Sequence, residues 1–100
     1  MTLRVVLRAS ARDDLRSIFE WLNSEIGPEF ARDYVRRIRN QCFSLSEFPN
    51  RGRSRVDIAQ GLRTILFEGR ALIVYTVDEN QVQILGVLHH GRDIDTAFKP

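Results

Sequence analysis

The stretch "ILGVLHHGRD" (residues 84–93) ends an apolar run in His89, His90, Gly91, Arg92 and Asp93. Histidine titrates near neutral pH and can serve as general acid or base. Arginine grips phosphate or carboxylate through two parallel bonds. Proton transfer beside a phosphate is therefore one chemistry this terminus could support. The opposing reading is structural. Successive strand residues point to opposite faces, so the two rings are expected apart rather than paired. His89 could hydrogen-bond a loop carbonyl and pin the strand end, and this role is the one favoured. Gly91 permits the turn, and Arg92 with Asp93 is read as a local or cross-loop ion pair worth about 0–1 kcal/mol at a surface. Two adjacent histidines without other spaced ligands do not match metal-ligand geometry, so neither a metal nor a cofactor is expected.

A second group of candidates is cationic. Fourteen of the 15 basic residues are arginine, and only Lys99 is lysine. A coding bias towards arginine explains this as readily as selection for phosphate or carboxylate contacts does. Net charge is only +2, so distribution matters more than the total. Arg51, Arg53, Arg55 and Arg63 stand against Asp57 alone between residues 50 and 63, a local positive excess. Those side chains could face DNA, RNA or an acidic protein segment, or simply be solvated.

The elements that must position these groups follow from periodicity. "LRVVL" (3–7) reads as a strand. Ser10 and Asp13 resemble a capping box opening a helix, whose apolar face carries Leu15, Ile18, Phe19, Leu22 and Ile26. Arg12 and Arg16 lie off that face. Gly27-Pro28 ends this helix and starts the next. There Ala31, Tyr34, Val35, Ile38, Cys42 and Leu45 form an apolar stripe. Cys42 is thus read as a core residue, not a reactive thiol. The two helices should form an antiparallel hairpin.

"EFPNRGRSRVDIAQG" (47–61) is polar, basic and turn-rich, and is expected to be a loop of a length that is often functional. Strands are predicted over 62–67, 70–77 and 81–90, with tight links that make them antiparallel. In the last, Val82, Ile84, Gly86 and Leu88 should share one face, and Leu85, Val87 and His89 the other. Both faces are apolar, which calls for a second cover opposite the helices, such as a partner chain. The strands at 3–7 and 62–67 are candidate sheet edges.

The predicted fold is α+β, a helical hairpin on a small, mostly antiparallel sheet in the order β-α-α-β-β-β. One hundred residues with 43% apolar content suit a single domain over 1–100. No run approaches the roughly 20 apolar residues that span a bilayer, the N-terminus lacks a signal-peptide h-region, and the lone Cys42 cannot form an internal disulfide. A reducing, cytoplasmic setting without membrane contact is expected.

This element order resembles the ParE branch of the ParE/RelE superfamily of type II toxins. The resemblance also rests on "P-x-x-G-R" at 49–53, "G-L-R" at 61–63, "LIVYTV" at 72–77 and "VLHHGRD" at 87–93. One departure is His90, where the family usually has glycine. The resemblance implies two rival activities. ParE-type toxins trap DNA gyrase, whereas RelE-type toxins cut mRNA on the ribosome, and both are neutralised by an antitoxin. RelE-type cleavage uses lysines, arginines and a C-terminal tyrosine, or a glutamate–arginine–histidine set. Lys99 is the sole lysine and no tyrosine follows Tyr75, so the first set is absent. Glu47, Arg63 and His89 could imitate the second. The reading adopted is a gyrase inhibitor that acts by binding rather than turnover. Its target-binding candidates are Arg51, Arg53, Arg55, Arg63 and Arg92. A ribbon-helix-helix, ParD-like antitoxin is the expected partner, with Phe30, Phe43 and Phe98 as candidate anchors. The alternatives are a ribosome-dependent mRNA endonuclease and a non-toxic antitoxin-binding member.

Overall fold

The computed structural model describes residues 2–89 and 91–99. The expectation for His90 lies outside the described residues. The chain runs β1 (Arg4–Leu7), α1 (Ala9–Glu25), α2 (Pro28–Ser44), β2 (Arg53–Ser54), β3 (Leu62–Phe67), β4 (Ala71–Val77), β5 (Gln81–Leu88) and α3 (Ile94–Phe98). The sheet order is β1-β5-β4-β3-β2, antiparallel except for the parallel pair β1 and β5. A parallel pair needs a crossover, and the helical hairpin begins it. No helix among the described residues is long and apolar enough to cross a membrane.

The apolar stripes read from sequence meet on one face of the sheet. Leu15, Ile18 and Leu22 from α1 and Tyr34, Ile38 and Cys42 from α2 pack with Ile73, Tyr75, Val82, Ile84 and Val87. Cys42 is fully buried, and that burial pushes its thiol up to about 12. A second, smaller cluster forms on the opposite face from Ile58, Leu62, Val74, Leu88 and Ile94, with Phe98 packed beside them. The cover expected from a partner chain is thus supplied in part by this chain itself.

Four further expectations change. Ser10 does not cap α1; it lies inside the helix, where its hydroxyl donates to the Leu85 carbonyl. Ile26 follows the end of α1 and is exposed. The strand over 62–67 is not the sheet edge, because two residues of the presumed loop pair outside it: Arg53 with Thr64 and Ser54 with Arg63. The face assignment in β5 fails after Leu85, which lies on the expected side. Val74 pairs with Gly86 and Tyr75 with Ile84, which leaves Leu85 as an extra, bulged residue. A bulge reverses the alternation. Val87 joins Val82 and Ile84 on the helix side, while Leu88 turns to the second cluster. Gly86 stands at this irregularity because a β-carbon there would lie 2.9 Å from the Phe98 ring and 3.2 Å from the Asp14 carboxylate.

Candidate interaction surfaces

The basic segment is not a free loop. Tyr75 is fully buried in β4, and its hydroxyl donates to the Pro49 carbonyl at 2.8 Å and accepts from the Gly52 N–H at 2.9 Å. Arg63, its partner across β3, donates to the carbonyls of Gly52 at 2.8 Å and Asn50 at 3.2 Å. The buried Gly52 N–H must find a partner, and Tyr75 supplies it, while Tyr75 and Arg63 together take three neighbouring carbonyls. Gly52 is buried against the phenol, and a β-carbon there would fall 2.3 Å from the Tyr75 oxygen. Burial pushes the Tyr75 phenol upward, outweighing the opposing Gly52 N–H. The group therefore remains a neutral donor at physiological pH.

The cationic candidates then divide. Arg55 makes a bidentate pair with Asp57, both bonds 3.0 Å, which holds the Asp57 carboxyl below its ordinary range. Arg63 turns its Nη1 to the loop. Arg51 is exposed and reaches Ser44 at 3.3 Å. Arg53 is exposed on β2, the outermost strand. Arg92 pairs not with Asp93 but with Asp14 of α1 at 2.9 Å, while Asp93 caps α3 by accepting from the Asp95 N–H. The other Asp14 oxygen accepts from the Val87 N–H at 2.9 Å. That group belongs to the length of β5 that outruns the short β1.

At the opposite end, the hairpin tip carries a concave apolar groove of about 300 Å³, lined by Trp21, Ile26, Phe30, Tyr34, Arg70 and His89 among others. Phe30 stacks on Tyr34 with centroids 6.0 Å apart. The His89 ring sits edge-on to Trp21 and Tyr34, with its Nε2 3.2 Å from the Tyr34 hydroxyl. The bulge puts it there, on the helix side of β5. Of the candidate anchors, Phe30 belongs to this groove. Phe43 is exposed near the other end of α2, and Phe98 is partly buried against the second cluster.

Glu47, Arg63 and His89 are not brought together. His89 touches Tyr34, and Glu47 lies beyond Ser44, ten residues further along α2 or about 15 Å of helix. Arg63 faces Tyr75, whereas Leu88, beside His89, faces Leu72. This places Arg63 about 13 Å along the strands and about 10 Å across them from the histidine. No shared phosphate could bridge such a set.

Sequence reasoning missed Trp21, Tyr75, Gly52 and Asp14. Two left a usable signal: Trp21 stands off the apolar stripe of its helix, and a tyrosine within an apolar strand needs a partner for its hydroxyl.

The model of one family, the ParE toxin of type II toxin–antitoxin system, parDE, matches residues 5–94. No curated protein matches the chain. Among solved structures, the chromosomal ParDE toxin–antitoxin system from P. aeruginosa is similar, with 27% identity and a TM-score of 0.78. That match covers 88% of this chain and 96% of the other. The RelBE2 toxin–antitoxin complex from Mycobacterium tuberculosis shares the fold at 21% identity and a TM-score of 0.61, covering 92% and 95%.

Proposed function

From the premise that the chain belongs to the ParE toxin family of type II toxin–antitoxin systems, we propose that it inhibits DNA gyrase by binding and is held inactive by a cognate antitoxin. The single observation that carries the binding mode is the anchored basic segment. Its backbone is fixed from inside by Tyr75 and Arg63 while Arg51 and Arg53 face outward. A preorganised cationic surface suits a phosphate-rich target, since little ordering remains to be done on binding. The separation of Glu47, Arg63 and His89 weighs against the mRNA endonuclease.

For the antitoxin, the tip groove is the preferred seat. Trp21, Ile26 and Phe30 are 42%, 62% and 41% exposed. An apolar stripe of a partner helix laid there would cover them, and Arg70 on the rim would meet a carboxylate. The similarity to ParDE supports a ParD-like partner, for which a ribbon-helix-helix protein is the candidate. Such a toxin would act in the cytoplasm, where its target resides.

The test is a plasmid supercoiling and cleavage assay with purified gyrase and the isolated chain, verified as folded by circular dichroism. Lost supercoiling or linear, protein-linked DNA is the expected result. Unaffected gyrase would overturn the reading, and a ribosome-bound mRNA cleavage assay would then decide the alternative.

A further inference from the structure

We propose that Tyr75 and Arg63 are positioning residues. They hold residues 49–53 in the one shape that presents Arg51 and Arg53, and neither touches the target. This rests on the reading that the basic segment is the target-facing surface.

The case is geometric. Four backbone groups of the segment point at the sheet: the carbonyls of Pro49 and Gly52 and the Gly52 N–H from buried or half-buried positions, and the Asn50 carbonyl at the exposed edge. All four are taken by two side chains of adjacent strands that face each other in register. The tyrosine is fully buried, so its ring fixes the hydroxyl against the core. With the backbone tied inward, the exposed side chains of Arg51 and Arg53 have only the outer side left. The segment also joins the sheet through the two pairs of β2 with β3, and the Arg55 N–H donates to the Leu62 carbonyl at 2.7 Å. Released from the latch, residues 49–52 would keep the charge of Arg51 but lose its placement, because turn residues such as Pro49, Asn50 and Gly52 sample several backbone conformations. Arg63 then differs from Arg51 and Arg53 in kind, since its guanidinium is directed at carbonyls of its own chain.

Tyr75→Phe isolates the claim. It removes one oxygen and keeps the ring that packs in the core. Arg53→Ala is the comparator for direct contact. Three quantities are read at a temperature where both variants are fully folded by circular dichroism. They are the growth arrest caused by induced expression, the gyrase inhibition, and the exchange rate of the Gly52 amide hydrogen. For Tyr75→Phe we expect about tenfold faster Gly52 exchange, about tenfold weaker growth arrest and about tenfold weaker inhibition, a size within the range for the two hydrogen bonds that the hydroxyl makes. Arg53→Ala should weaken the arrest equally without changing Gly52 exchange. It should also flatten the salt dependence of inhibition, which Tyr75→Phe should leave steep because every target-facing charge remains. A role in stability alone would leave the potency of the folded variant untouched. Full potency with Gly52 released would overturn the proposal, and so would an unchanged Gly52. If the wild-type chain arrests growth but spares gyrase, the gyrase reading falls alone, and the growth comparison still decides the positioning role. A wild-type chain that arrests nothing would overturn both.

Discussion

The two ends of α2 carry surfaces of opposite character. At its start, Trp21, Ile26 and Phe30 expose aromatic and aliphatic groups around a groove, with Arg70 as the cation on its wall. Past its end, Arg51 and Arg53 stand on a backbone pinned by Tyr75 and Arg63. Seventeen helical residues, about 25 Å, separate them. The apolar end gains by expelling water, which is non-directional and is not screened by salt. The basic end gains through charge, which is steered over distance and screened by salt. One suits a lasting protein partner and the other an anionic target. A partner seated only in the groove would leave the basic segment uncovered, so neutralisation requires either a partner long enough to follow α2 or an effect on the target's approach.

The largest effect should come from breaking the apolar end. Trp21→Ala with Phe30→Ala removes the two exposed rings of the groove. Aromatic anchors at interface centres cost at least about 2 kcal/mol each when truncated, so affinity for a ParD-like antitoxin should fall about a thousandfold. Isothermal titration would measure it. Growth arrest in the absence of antitoxin should persist, because the basic end is untouched. Arrest lost together with antitoxin binding would show that the two ends are not separate.

The basic end breaks differently, through the backbone. In Gly52→Ala the new methyl would sit 2.3 Å from the Tyr75 oxygen. Tyr75 is held by the core and cannot simply swing away. Overpacking of this kind costs about 1–3 kcal/mol. A thermal melt should show a lower midpoint, and the arrest should weaken even below the melt. For an antitoxin seated in the groove, affinity should stay within about twofold.

The contrast between the ends also separates what the sequence could reveal from what it could not. Helices and strands were legible because Leu15, Ile18 and Leu22, or Tyr34, Ile38 and Cys42, repeat at helical spacing and strongly apolar runs bound the strands. The groove was half legible. Phe30 stands out in the sequence, but Trp21 lies off the apolar stripe, and strict alternation puts His89 on the wrong face because one bulged residue, Leu85, reverses the alternation beyond it. In "QILGVL" the one local mark of a bulge is Gly86, since glycine inside a strand pattern often signals one. The anchored segment was legible as basic and turn-rich, yet its organisation depends on Tyr75 and Arg63, which lie 11 to 26 residues away from the groups they hold. Such contacts follow from strand register, which is fixed by the whole sheet. The pair of Arg92 with Asp14 spans 78 residues. For that reason the adjacent Asp93 was the natural but wrong partner to choose.

The smallest effect sharpens the same comparison through two carboxylates. Asp33, one residue from the groove's Tyr34, is held below its ordinary range first by Arg37 and then by Arg36. Asp78, three residues past the latch tyrosine, is lowered by accepting the N–H groups of Asn80 and Gln81, at 2.8 and 2.9 Å. Both have depressed folded values. Each therefore contributes stability that is complete above the unfolded carboxylate range and is lost as pH falls through the folded value. Salt should distinguish them. Ion pairs between exposed side chains are screened, whereas short hydrogen bonds to backbone amides are local. A carboxyl-carbon NMR titration at low and at about 1 M salt, where the screening length is about 3 Å, should move Asp33 back towards its ordinary value and leave Asp78 low. Equal movement of both would mean that the Asp78 turn is held by general electrostatics rather than by its two amides. Tyr75 leads directly into that turn along β4, so the basic end would then share the salt sensitivity of its own surface charges.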